Sequence, residues 1–521
     1  MPTYLSPGVY VEERESGSRP IEGVGTAVAA FVGFAAEGPF NEPVFVANWS
    51  QYVRTFGDFL AGAYLPLSVY SYFNNGGGGA YIVRIGSAGG TGAAEVLAST
   101  AELSSASKAG VGTYRVRAVE AGAAGNDLSV EVVATPAPEA AEGEDAGDVS
   151  FTLLVKKSGE QVEAFEGLQT RRGRQNVATV VNEQSQYVRV EEIGSAAVPD
   201  RVPAGGEVAL SGGASGALAS TSPEDYVGSA AARTGIGALE AIEGITMLIV
   251  PDLMSAHEQG LVDLDGVQAV QQAMIDHCEN MGDRMAILDP PPGLNAQQVK
   301  DWRVEKTGYD SKYAALYWPY IQVLDPASGR NRYIPPSGAM GGIWGRSDDT
   351  RGVHKAPANE VVRGALDVET TITRVEHDLL NPEGINVIRS FPGRGIRVWG
   401  ARTLSSDPAW RYLNVRRLFN YIESSILGGT QWVVFEPNDL DLWQRIRRTV
   451  QGFLLGLWRD GALFGPTPDA AFYVKCDAET NPTDVVDAGQ VIVEIGLAPV
   501  KPAEFVVFRL AQYSGGAGIE E

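Results

Sequence analysis

The sequence predicts a multidomain protein of mixed α/β and α+β class, with a β-rich insertion and an extended β-arm at each terminus. Three observations predict it. Short apolar runs alternate with helical patterns from about residue 222 to 320, the signature of a largely parallel sheet. Alternating strands crowd the stretch from 91 to 222. Both ends of the chain carry short β-prone segments beside glycine-containing polar sequence.

The first segment, Tyr4 to Glu13 (YLSPGVYVEE), is held extended by Pro2 and Pro7. A lone strand at a terminus must find a partner, within its own subunit or on the sheet edge of another chain. Residues 26–90 are strand-rich (AFVGF, PVFVAN, AYIVRI), with one helical piece around Trp49 to Phe59. The apolar run Val24 to Ala36 is too short to span a bilayer and reads as a buried strand with a bend. The tract Asn74-Asn75-Gly76-Gly77-Gly78-Gly79 reads as a tight turn before the next strand.

Composition then shifts to Ala, Gly, Ser and Glu. Residues 91–222 hold 18 acidic against 10 basic side chains, so this β-rich insertion is expected on the solvent side, with an exposed loop from Thr135 to Gly147. After it, Ser222-Pro223 opens a helix, Ile245 to Val250 is a buried strand, Val267 to Asn280 is helical, and Met285 to Leu288 and Tyr313 to Trp318 are further strands. In the last third, Asp407-Pro408 is expected to start a helix running to about 427, and Asn438 a second to about 460 with Gly461 as its stop. Residues 386–500 balance 12 acidic against 12 basic residues inside a chain of net charge −23, and the two helices carry the basic faces. Phe505 to Leu510 (FVVFRL) closes the chain as a second short strand.

A length of 521 residues exceeds one hydrophobic core, so two to four domains are expected. The charge of −23 disfavours nucleic-acid and anionic-membrane partners. Cys278 and Cys476 lie far apart with no CxxC, which argues for a reducing cytoplasm rather than a disulfide framework or a zinc site. The N-terminus has neither the basic nor the apolar region of a secretory signal.

Catalytic chemistry is poorly supported. Four histidines (His257, His277, His354, His377) show no metal spacing, and neither HExxH nor GxSxG occurs. The glycine tract lacks the Lys-Ser/Thr of a phosphate loop. Ser337, near a helix start, has no segment that would supply a base and its orienter. The run His354 to Glu360 (HKAPANE) reads as a proline-anchored loop with an internal ion pair, and the arginine faces as solvated helix surface.

Several ordered segments resemble contractile-tail sheath proteins of bacteriophages and phage-like contractile injection systems. They are YLSPGVYVEE, Thr26 to Pro39, Phe73 to Gly78 leading into AYIVRI, HKAPANE, Ile385 to Arg389 with Gly393 to Thr403, Trp410 to Leu418, Phe435-Glu436-Pro437-Asn438 and Phe472 to Asp477. The resemblance covers residues 1–90 and 223–510, while 91–222 matches nothing, as expected for a variable outer domain. It implies a linking arm (1–25), the start of a conserved inner domain (26–90), an insertion (91–222), a subtilisin-like α/β core without protease activity (223–385), a C-terminal sheath domain (386–500) and a second arm (501–521). It also implies a non-enzymatic subunit, without cofactor or metal, that polymerises around an inner tube. Neighbouring subunits, tube, baseplate and tail-terminator proteins are the implied partners, and assembly is expected in the bacterial cytoplasm before incorporation in a virion tail or injection particle.

Val9, Tyr10 and Val11 on one arm and Phe505, Val506, Val507 and Phe508 on the other are the expected intersubunit strands. Arg445, Arg447, Arg448, Arg416 and Arg417 are the expected tube-facing residues. Two other classes stay open: a subtilisin-like hydrolase centred on Ser337, and a surface-binding module built on the insertion.

Overall fold

The computed structural model describes residues 20–60, 62–86, 98–108, 111–119, 123–134, 150–157, 159–193, 198–212, 221–326 and 329–510. The N-terminal strand with Val9, Tyr10 and Val11, and the loop Thr135 to Gly147, lie outside them.

The central body is one eight-stranded sheet. Its order is Gly395–Val398, Ile385–Phe391, Ala314–Trp318, Met285–Leu288, Met247–Ile249, Val28–Gly33, Gly79–Arg84 and Val44–Val46. Six central strands run parallel and each edge strand runs antiparallel. The first strand pairs with one 218 residues later, Ala29 opposite Met247, so the insertion leaves and returns without interrupting the sheet. Continuous burial of Ala29 to Gly33, Met247 to Ile249 and Met285 to Leu288 explains why these strands read as unbroken apolar runs.

The expected domain boundary at 385 falls inside this sheet. Ile385–Phe391 pairs with Ala314–Trp318, Leu316 opposite Ile385, and Asn359 to Val362 closes the edge against Gly395–Val398. An apolar run announces a strand; it does not say which sheet accepts it.

On one face, the helices Leu65–Asn74 and Ser337–Arg351 pack backbone to backbone. A Cβ on Gly338 or Gly342 would collide with the carbonyl oxygens of Ser68 and Tyr72, so glycine one turn apart sets the spacing. The first of these helices went unpredicted, because LPLSVYSYFN is apolar all round and its period resembles a strand as much as a helix.

The insertion has its own core, including Tyr114, Val130, Leu153, Val155, Val181 and Val188. Two antiparallel sheets of four and three strands enclose it. The C-terminal body has a third core, where Leu418 and Ile422 of the helix Leu413–Gly429 meet Trp443, Ile446, Val450 and Leu454 of the helix Leu440–Arg459. Asp407 accepts from the Ala409 amide and caps a turn, so the first of these helices begins at Leu413, later than expected. Asp439 rather than Asn438 caps the second, accepting from Leu442, and Gly461 follows its end with φ +80°.

The chain enters the described body along the helix Leu413–Gly429. Ile21 packs on Gly429, Gly23 lies against Tyr421, and the Val24 amide donates to Ser425. The expected arm to residue 25 is thus anchored from Ile21 onward.

Candidate functional site

At the C-terminus the chain is tied down and then abandoned by the fold. The Asn414 amide donates to the Val500 carbonyl at 3.1 Å. Arg402 then grips Glu504 with a two-pronged fork, Nε to Oε1 at 2.9 Å and Nη2 to Oε2 at 2.5 Å. Both side chains are largely buried, 8% and 16% exposed. Beyond that point Phe505, Val506, Val507, Phe508 and Leu510 are 74, 68, 77, 84 and 97% exposed and form no strand. The alternative of β-pairing within the subunit is not seen among the described residues, and five apolar side chains in six positions face solvent.

An incomplete sheet sits in the same body. Phe472–Lys475 pairs antiparallel with Glu494–Leu497, Val474 opposite Ile495. Among the described residues no third strand joins them. The helix Leu440–Arg459 covers one face, while Tyr473 is 59% exposed. A two-stranded sheet is marginal by itself and presents unpaired backbone at its edges.

The arginines separate into two groups. Arg416 and Arg417 are buried, which corrects their expected surface role. Arg416 donates to Asn420 at 2.6 Å and Glu423 at 2.9 Å, and lies over the Trp410 ring at 4.5 Å. Arg417 forks onto Asp348 at 2.8 and 2.5 Å, over the Trp344 ring at 4.9 Å. Helical spacing placed them on the inner face, and the ionic partner lies 69 residues away, beyond the reach of a local pattern. Arg448 is exposed, Arg447 half-buried, and Arg445 pairs with Glu436 at 3.5 Å above the Trp432 ring. Beside them, in the loop before Leu440, Phe435 is fully exposed with φ +69°, and Val434 and Leu440 are exposed as well. The sequence offered FEPN only as a resemblance, because no propensity argument predicts an aromatic standing in solvent.

The carboxyl end of the parallel sheet, where α/β proteins usually place a ligand, is filled by structural links. Asp252, fully buried, accepts from the amides of Phe34 (2.6 Å), Tyr64 and Leu65 (3.1 Å). Ser337 donates its hydroxyl to Asp289 at 2.5 Å and its amide at 3.0 Å. Burial pushes both carboxyls up to about 7. The Ser337 hydroxyl thus meets a carboxylate rather than the imidazole that nucleophilic attack requires. His257 bonds the Val262 carbonyl, and His277 is turned to Arg284, with burial pushing it down to about 4. Lys355 pairs with Glu360 at 2.8 Å inside the HKAPANE loop, the internal ion pair expected there. Both cysteines are buried and free. Among the described residues no helix is long and apolar enough to cross a membrane.

The described chain is thus an α/β body, a β-rich insertion with its own core, and a C-terminal body from which an exposed apolar tail extends. The chain belongs to the phage tail sheath family: the phage tail sheath protein central domain matches residues 224–404 and the phage tail sheath C-terminal domain residues 405–512, together more than half of the chain. The tail sheath protein of Burkholderia phage BcepMu is 26% identical, over 96% of this chain and 95% of that one. That of Vibrio phage KVP40 is 24% identical over 55% of this chain and 46% of its own, so the chain spans less than half of that relative. The same holds for the tail sheath protein of Salmonella phage ViI, 28% identical over 46% of this chain and 39% of its own.

Among solved structures, the sheath of an extracellular contractile injection system, the PVC sheath complex in its contracted state, aligns with TM-score 0.57 at 22% identity, over 98% of this chain and 99% of that chain. The helical sheath of the anti-feeding prophage in its contracted state gives 0.57 at 23%, over 98% and 100%. These likenesses establish a shared fold.

Proposed function

We propose that this protein is the structural subunit of a contractile sheath that polymerises helically around an inner tube and shortens to drive that tube through a target envelope. The observation that carries the reading is the tail beyond Glu504, five exposed apolar side chains on a chain firmly anchored one residue earlier. Phe505 to Phe508 supplies a strand, and the open edges of the sheet Phe472–Lys475 and Glu494–Leu497 supply a place for one on a neighbouring copy. Val9, Tyr10 and Val11 act as the corresponding strand at the other terminus. An added strand with four or so backbone hydrogen bonds contributes a few kcal/mol at roughly 0.5–1.5 kcal/mol each, so single links are weak and the lattice is strong.

The exposed Arg448, the half-buried Arg445 and Arg447, and the neighbouring Phe435 form the tube-facing surface. Contacts of this kind are screened by salt and suit a surface that must be released. Baseplate and terminator proteins cap the polymer, and assembly takes place in the bacterial cytoplasm. The central α/β body is a subtilisin-like scaffold whose role is structural rather than hydrolytic, in keeping with a Ser337 hydroxyl committed to Asp289.

Deleting residues 1–13 tests the arms. The expected product is folded and fails to form sheaths in the electron microscope. Normal sheaths from that protein would end the proposal.

A further inference from the structure

Where the C-terminal tail leaves the body it forms one wall of a groove of about 790 Å³. Arg351, Arg374, Arg389 and Lys501 line it, and none of the four has an ion pair among the described residues. Lys355 adds a cation already neutralised by Glu360, and the groove's Glu504 is engaged by Arg402. Asp378 is the remaining acidic side chain on its wall. Two buried donor or acceptor atoms here also lack partners, Nε of Arg389 and Nε2 of His377. Unsatisfied buried nitrogens are costly and point to a group that completes them. In a chain of net charge −23, such a concentration of unpaired cations in one concavity is a site for carboxylates.

We infer that this groove receives the acidic segment Glu12-Glu13-Arg14-Glu15 of a second copy of the chain. Three carboxylates in four residues match the unpaired cations in sign. The groove is continuous with the uncovered tail, since Val500 to Val506 lines it before Phe505 to Leu510 runs on into solvent. A strand laid along that tail by a neighbour brings its own flanking residues over the groove.

Reach argues against the chain's own arm. The arm is fixed where Ile21 meets Gly429, at the end of the helix Leu413–Gly429, and Glu504 is fixed beside Tyr412 at its beginning. At 1.5 Å per residue that helix is about 24 Å long. Six extended residues from Ile21 to Glu15 cover about 20 Å. Six extended residues thus fall short of the Glu504 end of the groove, where Lys501 lies, whereas the acidic segment of a neighbouring copy is free of that tether. The inference rests on the arm reading proposed above and names the site that gives the arm its direction and register.

The test is a labelled synthetic peptide of residues 6–17 titrated onto the unassembled full-length protein by fluorescence anisotropy. Binding is expected, falling as salt rises. A peptide with Glu12→Gln, Glu13→Gln and Glu15→Gln should bind about tenfold more weakly, as should the normal peptide on R374E/K501E protein. Both altered protein residues are exposed, so circular dichroism should be unchanged. No binding by the unaltered peptide, or equal binding by neutral peptide or reversed protein, overturns the groove assignment. The arm reading is judged separately. If the 1–13 deletion abolishes sheaths while the peptide ignores these charges, the arm stands and the groove falls.

Discussion

Two changes one residue apart should behave in opposite ways. Truncation after Glu504 removes side chains that are 68–97% exposed at the five apolar positions, so the apolar area returned to water is small. Full burial of a Val, Leu or Phe side chain contributes about 1.5–3 kcal/mol, and a fifth of that at each of five positions sums to no more than about 3 kcal/mol, an upper limit because unfolded chains also bury surface. Glu504→Ala keeps the tail and removes the partner of Arg402, whose guanidinium is 8% exposed. Stranding one member of a buried pair costs about 3–5 kcal/mol. Chemical denaturation read by tryptophan fluorescence measures both, and sedimentation with negative-stain microscopy reads assembly. The truncated protein should unfold near the wild-type midpoint and remain unassembled, while Glu504→Ala should unfold at clearly lower denaturant. A truncation as destabilising as the point change would refute the claim that the tail is packed on nothing in its own subunit.

Arg417→Met should destabilise by about 3–5 kcal/mol because Asp348 is left buried and alone, and adding Asp348→Leu should recover most of the loss; unfolding curves of the three proteins decide it, and no recovery would mean that the pair is not an isolated unit. Asp289 adds a pH dependence. Its carboxyl is raised from 3.8 to about 7 by burial, so the native state binds more protons than the unfolded one in between. The stability it contributes is complete below pH 4 and lost as pH rises through 7. The advantage of wild type over Asp289→Asn should therefore shrink from pH 5 to pH 8 in paired melting curves, and parallel curves would remove the assignment.

How far the sequence disclosed the molecule depended on the range of each interaction. Met247 to Ile249 and Met285 to Leu288 were legible because full burial on both faces leaves a short apolar run. The helix Leu65–Asn74 was not, since a helix buried all round has no polar stripe. Helix starts slipped where a local cap competed: Asp407 caps a turn, and Asp439 does what its neighbour Asn438 was expected to do. The candidate site divides in the same way. The apolar tail was readable from six residues, and its exposure could not be. Arg416 and Arg417 were misplaced because a basic pair on an amphipathic helix looks solvated until Glu423, Asp348 and four aromatic rings are known to surround it.

The helix Leu413–Gly429 carries an anchored terminus at each end, Ile21 against Gly429 and Glu504 beside Tyr412. If neighbours hold both arms, a pull on the lattice enters at one end of this rod and leaves at the other. Tension then runs along the helix axis, and Arg417 on Asp348 acts as a cross-brace to the central body. The eight-stranded sheet shares that load through Val28–Gly33, the strand into which the N-terminal arm runs directly, so sheet and helix are pulled as one unit.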